Sequence, residues 1–290
     1  MSSIKEQVQA FYNRTPFPDY ELERFPTREV LAAKAYPFAR VLDRSIPADA
    51  SVLDAGTGTG QLSTFLSLRR DCVYGIDFSD SSLNKARALK ERLKLDSLTL
   101  KKIDLLDRSQ IDSIGRQFDY VLCLGVFHHT GDPYRGFVNL LRLLKPGGYI
   151  AVGLYNTFGR IPLKTRKFLL RRVFRNSERM KEKFIKLQIE DVSDRERARG
   201  WINDQYYHPH ESSHTVGEVL KWFRNHNVEF LQTIPSTGEQ RNLDVAGLFR
   251  KEPYPGILKR AMAQLSWALE DNQDGGYWIT LGRLATMKKP

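Results

Sequence analysis

The chain has 290 residues, 41% hydrophobic and 27% charged, with a formal net charge of +11. That composition excludes a disordered or low-complexity protein and suits one large α/β domain with additions. No apolar run is long enough to span a membrane, Met1 to Lys5 is not a signal peptide, and Cys72 and Cys123 lack metal-ligand spacing, so a cytoplasmic protein with reduced thiols is expected.

In chain order, Ile4 to Tyr12 reads as a short helix. Pro16 and Pro18 then bracket Phe17 in a rigid extended turn, rich in aromatics that need burial (Phe11, Tyr12, Phe17, Tyr20). The segment either packs on the main domain as a loop or lies over a ligand as a lid. Thr27 reads as the N-cap of one helix to about Leu42, and Ser45 to Asp49 as a linker. Residues 1–49 are therefore expected to form a helical lid segment, and residues 50–290 the main domain.

Val52-Leu53-Asp54-Ala55-Gly56-Thr57-Gly58-Thr59-Gly60 follows: a buried strand, an acid, and glycines at alternate positions before a helix, Gln61 to Leu68. Glycine lets the chain turn sharply and lets a ligand approach the backbone. The third glycine comes one residue too soon for the G-x-G-x-x-G spacing of a pyrophosphate site. Asp54 would also repel a pyrophosphate, and it suits a ligand carrying a positive charge such as an amino group. Asp-x-Gly-x-Gly-x-Gly after a first strand resembles motif I of the class I S-adenosylmethionine-dependent methyltransferases. The resemblance implies S-adenosyl-L-methionine as cofactor, held by Asp54, Gly56, Thr57, Gly58, Thr59 and Gly60. It also implies a lid role for the amino-terminal aromatics, with Tyr12 and Tyr20 closing over the cofactor.

Cys72 to Asp77 is a second buried strand ending in an acid, 23 residues beyond Asp54. An acid there can accept both hydroxyls of a ribose. A helix capped within Ser79–Ser82 runs to about Leu95, and a third strand, Leu98 to Ile103, ends at Asp104. Phe118 to Cys123 is a fourth strand running into Leu124-Gly125-Val126-Phe127-His128-His129. Asp132 and Pro133 start a helix to Leu144, Lys145 to Gly148 ends it, and Tyr149 to Leu154 is a fifth strand. Strand–helix alternation demands a parallel sheet with helices on both faces and a ligand at the carboxyl ends of the strands. Asp54, Asp77, Asp104 and Gly125 stand at four such ends in order. The methyltransferase resemblance assigns Asp77 and Phe78, Asp104 and Leu105, and Leu124 and Gly125 to the cofactor. Phe-His-His and Leu-Lys-Pro-Gly-Gly also resemble the type 11 subgroup, and the resemblance is strong over residues 50–155.

Arg160 to Lys186 carries eleven Lys or Arg against two Glu, a net +9. Interleaved apolar residues suggest an amphipathic helix within an insertion at about 156–214. The charge suits a solvated face, an anionic acceptor, a nucleic acid backbone or a membrane surface. His208-Pro209-His210-Glu211 lacks helical His-x-x-x-His geometry, so no metal is expected. Thr215 and Glu218 form a capping box for a helix to His226, Val228 to Ile234 is a sixth strand, and Gly276 to Leu284 is the last. The expected fold is a Rossmann-like, doubly wound, seven-stranded sheet, mostly parallel with an antiparallel last strand, plus helical insertions.

Methyl transfer from a sulfonium is an in-line displacement that needs mainly positioning. If the acceptor must lose a proton, His128 and His129 are the imidazoles nearest the cofactor loop, and either could instead be structural. Tyr155, Asn156, Tyr207 and His208 are substrate-side candidates. The acceptor expected is a small molecule, with an anionic one suited to the charge. RNA methylation through residues 160–186, a non-catalytic binding protein and a nicotinamide-dependent oxidoreductase are the alternatives. Gln61 and Asp104 argue against the last.

Overall fold

The computed structural model describes residues 3–173, 202–237, 247–269 and 276–286. Much of the basic run, 174–186, therefore lies outside the described residues. Strands β1 (Val52–Ala55), β2 (Val73–Asp77), β3 (Leu98–Lys102), β4 (Phe118–Leu124), β5 (Leu144–Tyr155), β6 (Val228–Ile234) and β7 (Tyr277–Leu284) form one sheet of order β3-β2-β1-β4-β5-β7-β6. β1 to β5 pair in parallel, and β7 inserts antiparallel between β5 and β6. This is the expected methyltransferase-like sheet. The strand order reverses between β1 and β4, so their carboxyl-end loops splay apart and leave the crevice where such sheets bind ligands.

The strands are buried on both faces, and successive residues serve opposite cores. Leu53, Val121, Ile150 and Val152 pack with Phe137 and Phe223 on one side. Val52, Leu122, Ala151 and Leu281 pack with Leu42, Phe65 and Leu66 on the other. The helices that supply these faces are α3 (Pro37–Ser45), α4 (Gln61–Leu66), α7 (Pro133–Leu141) and α9 (Val216–Asn225). Helices α5 (Asp80–Arg92) and α6 (Arg108–Asp112) complete the strand–helix alternation. Helix α8 (Ile161–Val173) follows β5, and helix α10 (Ile257–Leu269) lies between β6 and β7 in sequence.

Three local expectations change. The single helix from Thr27 to Leu42 is two: α2 (Arg28–Lys34) and α3. Pro37 forces the preceding Tyr36 into an extended conformation, φ −62° and ψ 151°, and proline then starts α3 at its first turn. β5 begins at Leu144, not Tyr149, because Leu144 pairs with Phe118 across an irregularity in the register. At α9 the Thr215 hydroxyl accepts the Glu218 N–H at 3.2 Å, while the Glu218 carboxylate turns to His214 Nδ1 at 2.9 Å instead of closing the box. Cys72 and Cys123 are both free thiols, as expected.

Asp43 of α3 and Arg70, just after α4, join the amino-terminal helices to the sheet. Arg70 is 1% exposed; its guanidinium donates to Asp43 Oδ1 at 2.5 Å and to the Leu66 and Ile46 carbonyls. Removing one partner of a buried pair leaves a charge in low dielectric. Asp43→Ala is therefore expected to lower unfolding free energy by about 3–5 kcal/mol, read as a shifted urea midpoint with the slope unchanged.

Candidate active site

The turn after β1 is left-handed at Gly56 (φ +77°) and Gly58 (φ +54°). A Cβ on Gly56 would lie 2.2 Å from Val126 Cγ2, and one on Gly58 would lie 2.4 Å from the Phe17 carbonyl oxygen. Only glycine meets both the backbone and the space requirement. The amino-terminal segment clips this loop from outside. Thr59 Oγ1 donates to the Pro18 carbonyl at 2.7 Å, and the buried Tyr20 hydroxyl donates to the Thr59 carbonyl at 2.6 Å. Helix α1 (Ile4–Arg14), capped by Ser3, crosses the carboxyl ends of the strands. Gln9 donates to the Phe78 carbonyl, Ser79 Oγ donates to Asn13 Oδ1, and Lys5 pairs with Asp104 at 2.7 Å.

Beneath α1 lies a cavity of about 400 Å³. Asp54, Gly56, Thr57, Gly58, Asp77, Phe78, Asp104, Leu105, Leu124, Gly125 and Tyr12 all line it. Among the expected cofactor residues, Thr59, Gly60 and Tyr20 do not. Tyr20 and Thr59 instead hold the loop from behind. Asp77 accepts the Gly58 N–H at 2.9 Å and the Ser79 N–H at 2.8 Å, which fixes its carboxylate at the mouth of the turn. Burial pushes Asp54 up to about 6, against the opposing bond from Thr57 Oγ1 at 2.8 Å and with the negative charge of Asp77 adding to the rise. Asp104 is shared by Lys5 and the Leu106 N–H.

A second end of the same cavity is apolar. Phe25, Leu31, Tyr36, Phe38, Ala39 and Phe65 enclose it between α2, α3 and α4. Spacing along the chain carries no sign of this chamber, because it arises from helices that the sequence presents as one.

His129 reaches the cavity, and His128 does not. His128 is 1% exposed, packs against Tyr155 with centroids 3.9 Å apart, and has no hydrogen-bond partner at either nitrogen among the described residues. Burial and the neighbouring positive groups hold it well below the usual imidazole range, so it is a neutral packing residue. His129 sits in a polar cluster. Its Nδ1 faces the His210 carbonyl at 3.1 Å and its Nε2 faces Asp204 Oδ1 at 3.4 Å. Asp204 also accepts from Tyr12 at 3.3 Å, Tyr155 at 2.9 Å and Gln205 at 3.0 Å. Burial works to raise Asp204, but His129, His208 and the Tyr155 hydroxyl outweigh it and hold it below the usual carboxylate range. His208 packs 3.7 Å from His129, and burial together with that neighbour lowers it to about 3.

Of the other substrate-side candidates, Tyr155 orients Asp204, Asn156 is fully buried with its amide on Gln264, and Tyr207 is half exposed. Arg160, read as part of the basic surface, is buried. It bonds Glu211 Oε1 and Oε2 at 2.7 and 2.5 Å, bonds Gln205, and lies 3.7 Å over the Tyr155 ring. Lys167 adds a second cation to Glu211. Sequence reasoning assigned no role to Asp204, Gln205 or Lys5. The available signal was Asp204 four residues before His208, a spacing that puts both on one face of a helical turn.

Residues 46–224 match the methyltransferase domain family. The chain belongs to that family. An uncharacterized protein of Synechococcus is 25% identical over 252 residues, covering 79% of this chain and 60% of that protein. Ubiquinone biosynthesis O-methyltransferase of Coxiella burnetii is 31% identical over 106 residues, 36% of this chain and 43% of that enzyme. The chain thus matches less than two thirds of the length of either. PKMT2 from Rickettsia typhi shares the fold, with a TM-score of 0.58, 16% identity, and coverage of 95% of this chain and 56% of that one. The structure of PKMT2 in complex with AdoHcy aligns with a TM-score of 0.54 at 14% identity, over 89% of this chain and 54% of that one. The residues that line the cavity fit S-adenosylmethionine, the cofactor that the sequence resemblance implies. The glycine cradle has no room for side chains, and the buried Asp54 and Asp77 carboxylates suit an amino group and ribose hydroxyls.

A cationic amino group beside Asp54 favours its carboxylate, so the pKa of the complex is lower than that of the free protein. Cofactor affinity is expected to be full above about pH 6 and to fall below it by up to about tenfold per pH unit. Calorimetry across that range checks this, and a flat profile would mean that Asp54 meets no cation.

Proposed function

We propose that the chain methylates a small acceptor with an apolar body, using S-adenosylmethionine held beneath α1. The observation that carries this reading is the continuity of the cavity. One part has the glycine cradle and three acids, and another is lined by apolar residues of α2, α3 and α4. Burying an apolar body there contributes roughly 25 cal/mol per Å² of surface removed from water. A nucleic acid reading is less well supported, because Arg160 and Lys167 are paired with Glu211 and do not stand free for phosphates. Tyr12 and His129 are among the polar side chains that line the cavity, and they orient the acceptor's nucleophile. If that nucleophile carries a proton, His129 is the imidazole within the cavity. Helix α1 acts as the lid, with Lys5, Gln9 and Asn13 as its fastenings.

Ala39→Trp, which fills the chamber, is expected to raise acceptor KM about tenfold while cofactor Kd changes less than about twofold. His129→Ala is expected to lower kcat roughly 100-fold, again sparing the cofactor. Labelled methyl transfer to fractionated small molecules and to RNA tests the reading, and label recovered in RNA alone would overturn it. Removing residues 1–14, which leaves Tyr20 and Phe25 in the core, is expected to weaken cofactor binding about tenfold, measured by calorimetry. Unchanged affinity would mean that α1 is no lid.

A further inference from the structure

His129, Asp204 and His208 bring one potential metal-ligating atom each to within 4.8 Å of one another. Two come from a single turn, Asn203–Tyr207 and the residue after it, and one from the loop after β4. We propose that the chain binds one divalent transition-metal ion, of the zinc, cobalt or manganese kind, between these three side chains.

Four observations carry the proposal. The His129 Nε2 to Asp204 Oδ1 distance is 3.4 Å, long for a hydrogen bond of about 2.9 Å. Two donors each about 2.1 Å from one ion at a tetrahedral angle stand about 3.4 Å apart. The outward-facing atoms are already held as ligand side chains require. His129 Nδ1 faces the His210 carbonyl, and Asp204 Oδ2 receives Tyr155 and Gln205. His208 Nε2 is buried with no hydrogen-bond partner among the described residues. Finally, two imidazoles and one carboxylate form a ligand set that suits these ions and leaves positions open. The cluster also has polar contacts from Tyr12 to Asp204 Oδ1 at 3.3 Å and from the His210 N–H to His208 Nδ1 at 3.2 Å. If His208 ligates through Nε2, its ring proton moves to Nδ1, and the His210 contact is exchanged for the bond to the ion.

The set escapes the local pattern because only His208 of the His-Pro-His-Glu run belongs to it. His210 contributes only its backbone, and Glu211 is taken by Arg160. His129 and Tyr12 line the cavity, so an open coordination position on that side would accept an oxygen of the acceptor. Ion binding does not depend on the acceptor being a small molecule, and metal analysis tests it apart from any transfer assay.

The experiment uses the full chain, stripped with a chelator, dialysed and titrated with Co(II), then with Zn(II) in competition. One equivalent of Co(II) is expected, with the visible bands of a four- or five-coordinate site, which zinc abolishes. His208→Ala and Asp204→Asn are each expected to weaken uptake by roughly tenfold or more. Zinc is also expected to raise the melting temperature of the unaltered chain, a readout that needs no variant to fold. Less than a tenth of an equivalent bound together with an unchanged melting temperature would overturn the proposal. So would uptake that persists undiminished in both folded variants, and the cluster would then be a histidine–carboxylate contact only.

Discussion

The site depends on the left-handed turn at Gly56 and Gly58 and on what is wedged against it. Val126 occupies the space a side chain at Gly56 would need, and the Phe17 carbonyl does the same at Gly58. The turn therefore ties three remote parts of the chain together: the end of β1, the loop after β4, and the proline-bracketed amino-terminal segment. Tyr20 and Thr59 close the assembly with hydrogen bonds to backbone carbonyls. Loosening any one of these parts would shift the cradle that the cofactor meets.

Charge is arranged around that cradle by burial. Asp54 and Asp77 are two acids near one another with no basic side chain bonded to them among the described residues, and the hydroxyl and backbone N–H bonds they accept oppose the rise that burial causes. A cationic ligand relieves this directly. Asp104, by contrast, already has Lys5, so it serves α1 as well as the cavity. Behind the residues that line the cavity, Asp204 accepts from Tyr12, Tyr155 and Gln205 and faces His129, while Arg160 and Glu211 form an ion pair beside Gln205. The two acidic centres differ accordingly. Burial dominates at Asp54 and raises its pKa, whereas partners dominate at Asp204 and lower it.

The apolar chamber follows from one proline. Pro37 divides what would be a single helix into α2 and α3, and the bend lets Tyr36, Phe38 and Ala39 enclose a space against Phe65 of α4. A straight helix would present one narrow stripe to the sheet. The break gives two short surfaces at an angle, and the cavity fills the gap between them.

The sequence by itself determined the sheet, the turn and the acids at the strand ends. Each of these is a local matter: periodicity selects strand or helix, glycine alone tolerates the turn, and the strand ends place Asp54, Asp77 and Asp104 on one side. The antiparallel last strand was not legible in that way; it was expected only from the methyltransferase resemblance. Only the tertiary structure decided which histidine meets the cavity, because His128 and His129 are adjacent and no local signal tells them apart. It also decided that Arg160 is buried, that Tyr20 braces the loop from behind, and that Asp204 and His208 join His129. The last contacts join residues far apart in sequence, 81 positions for His129 and His210. Such pairings are set by how the whole core packs, and nothing in the spacing of a single segment encodes them.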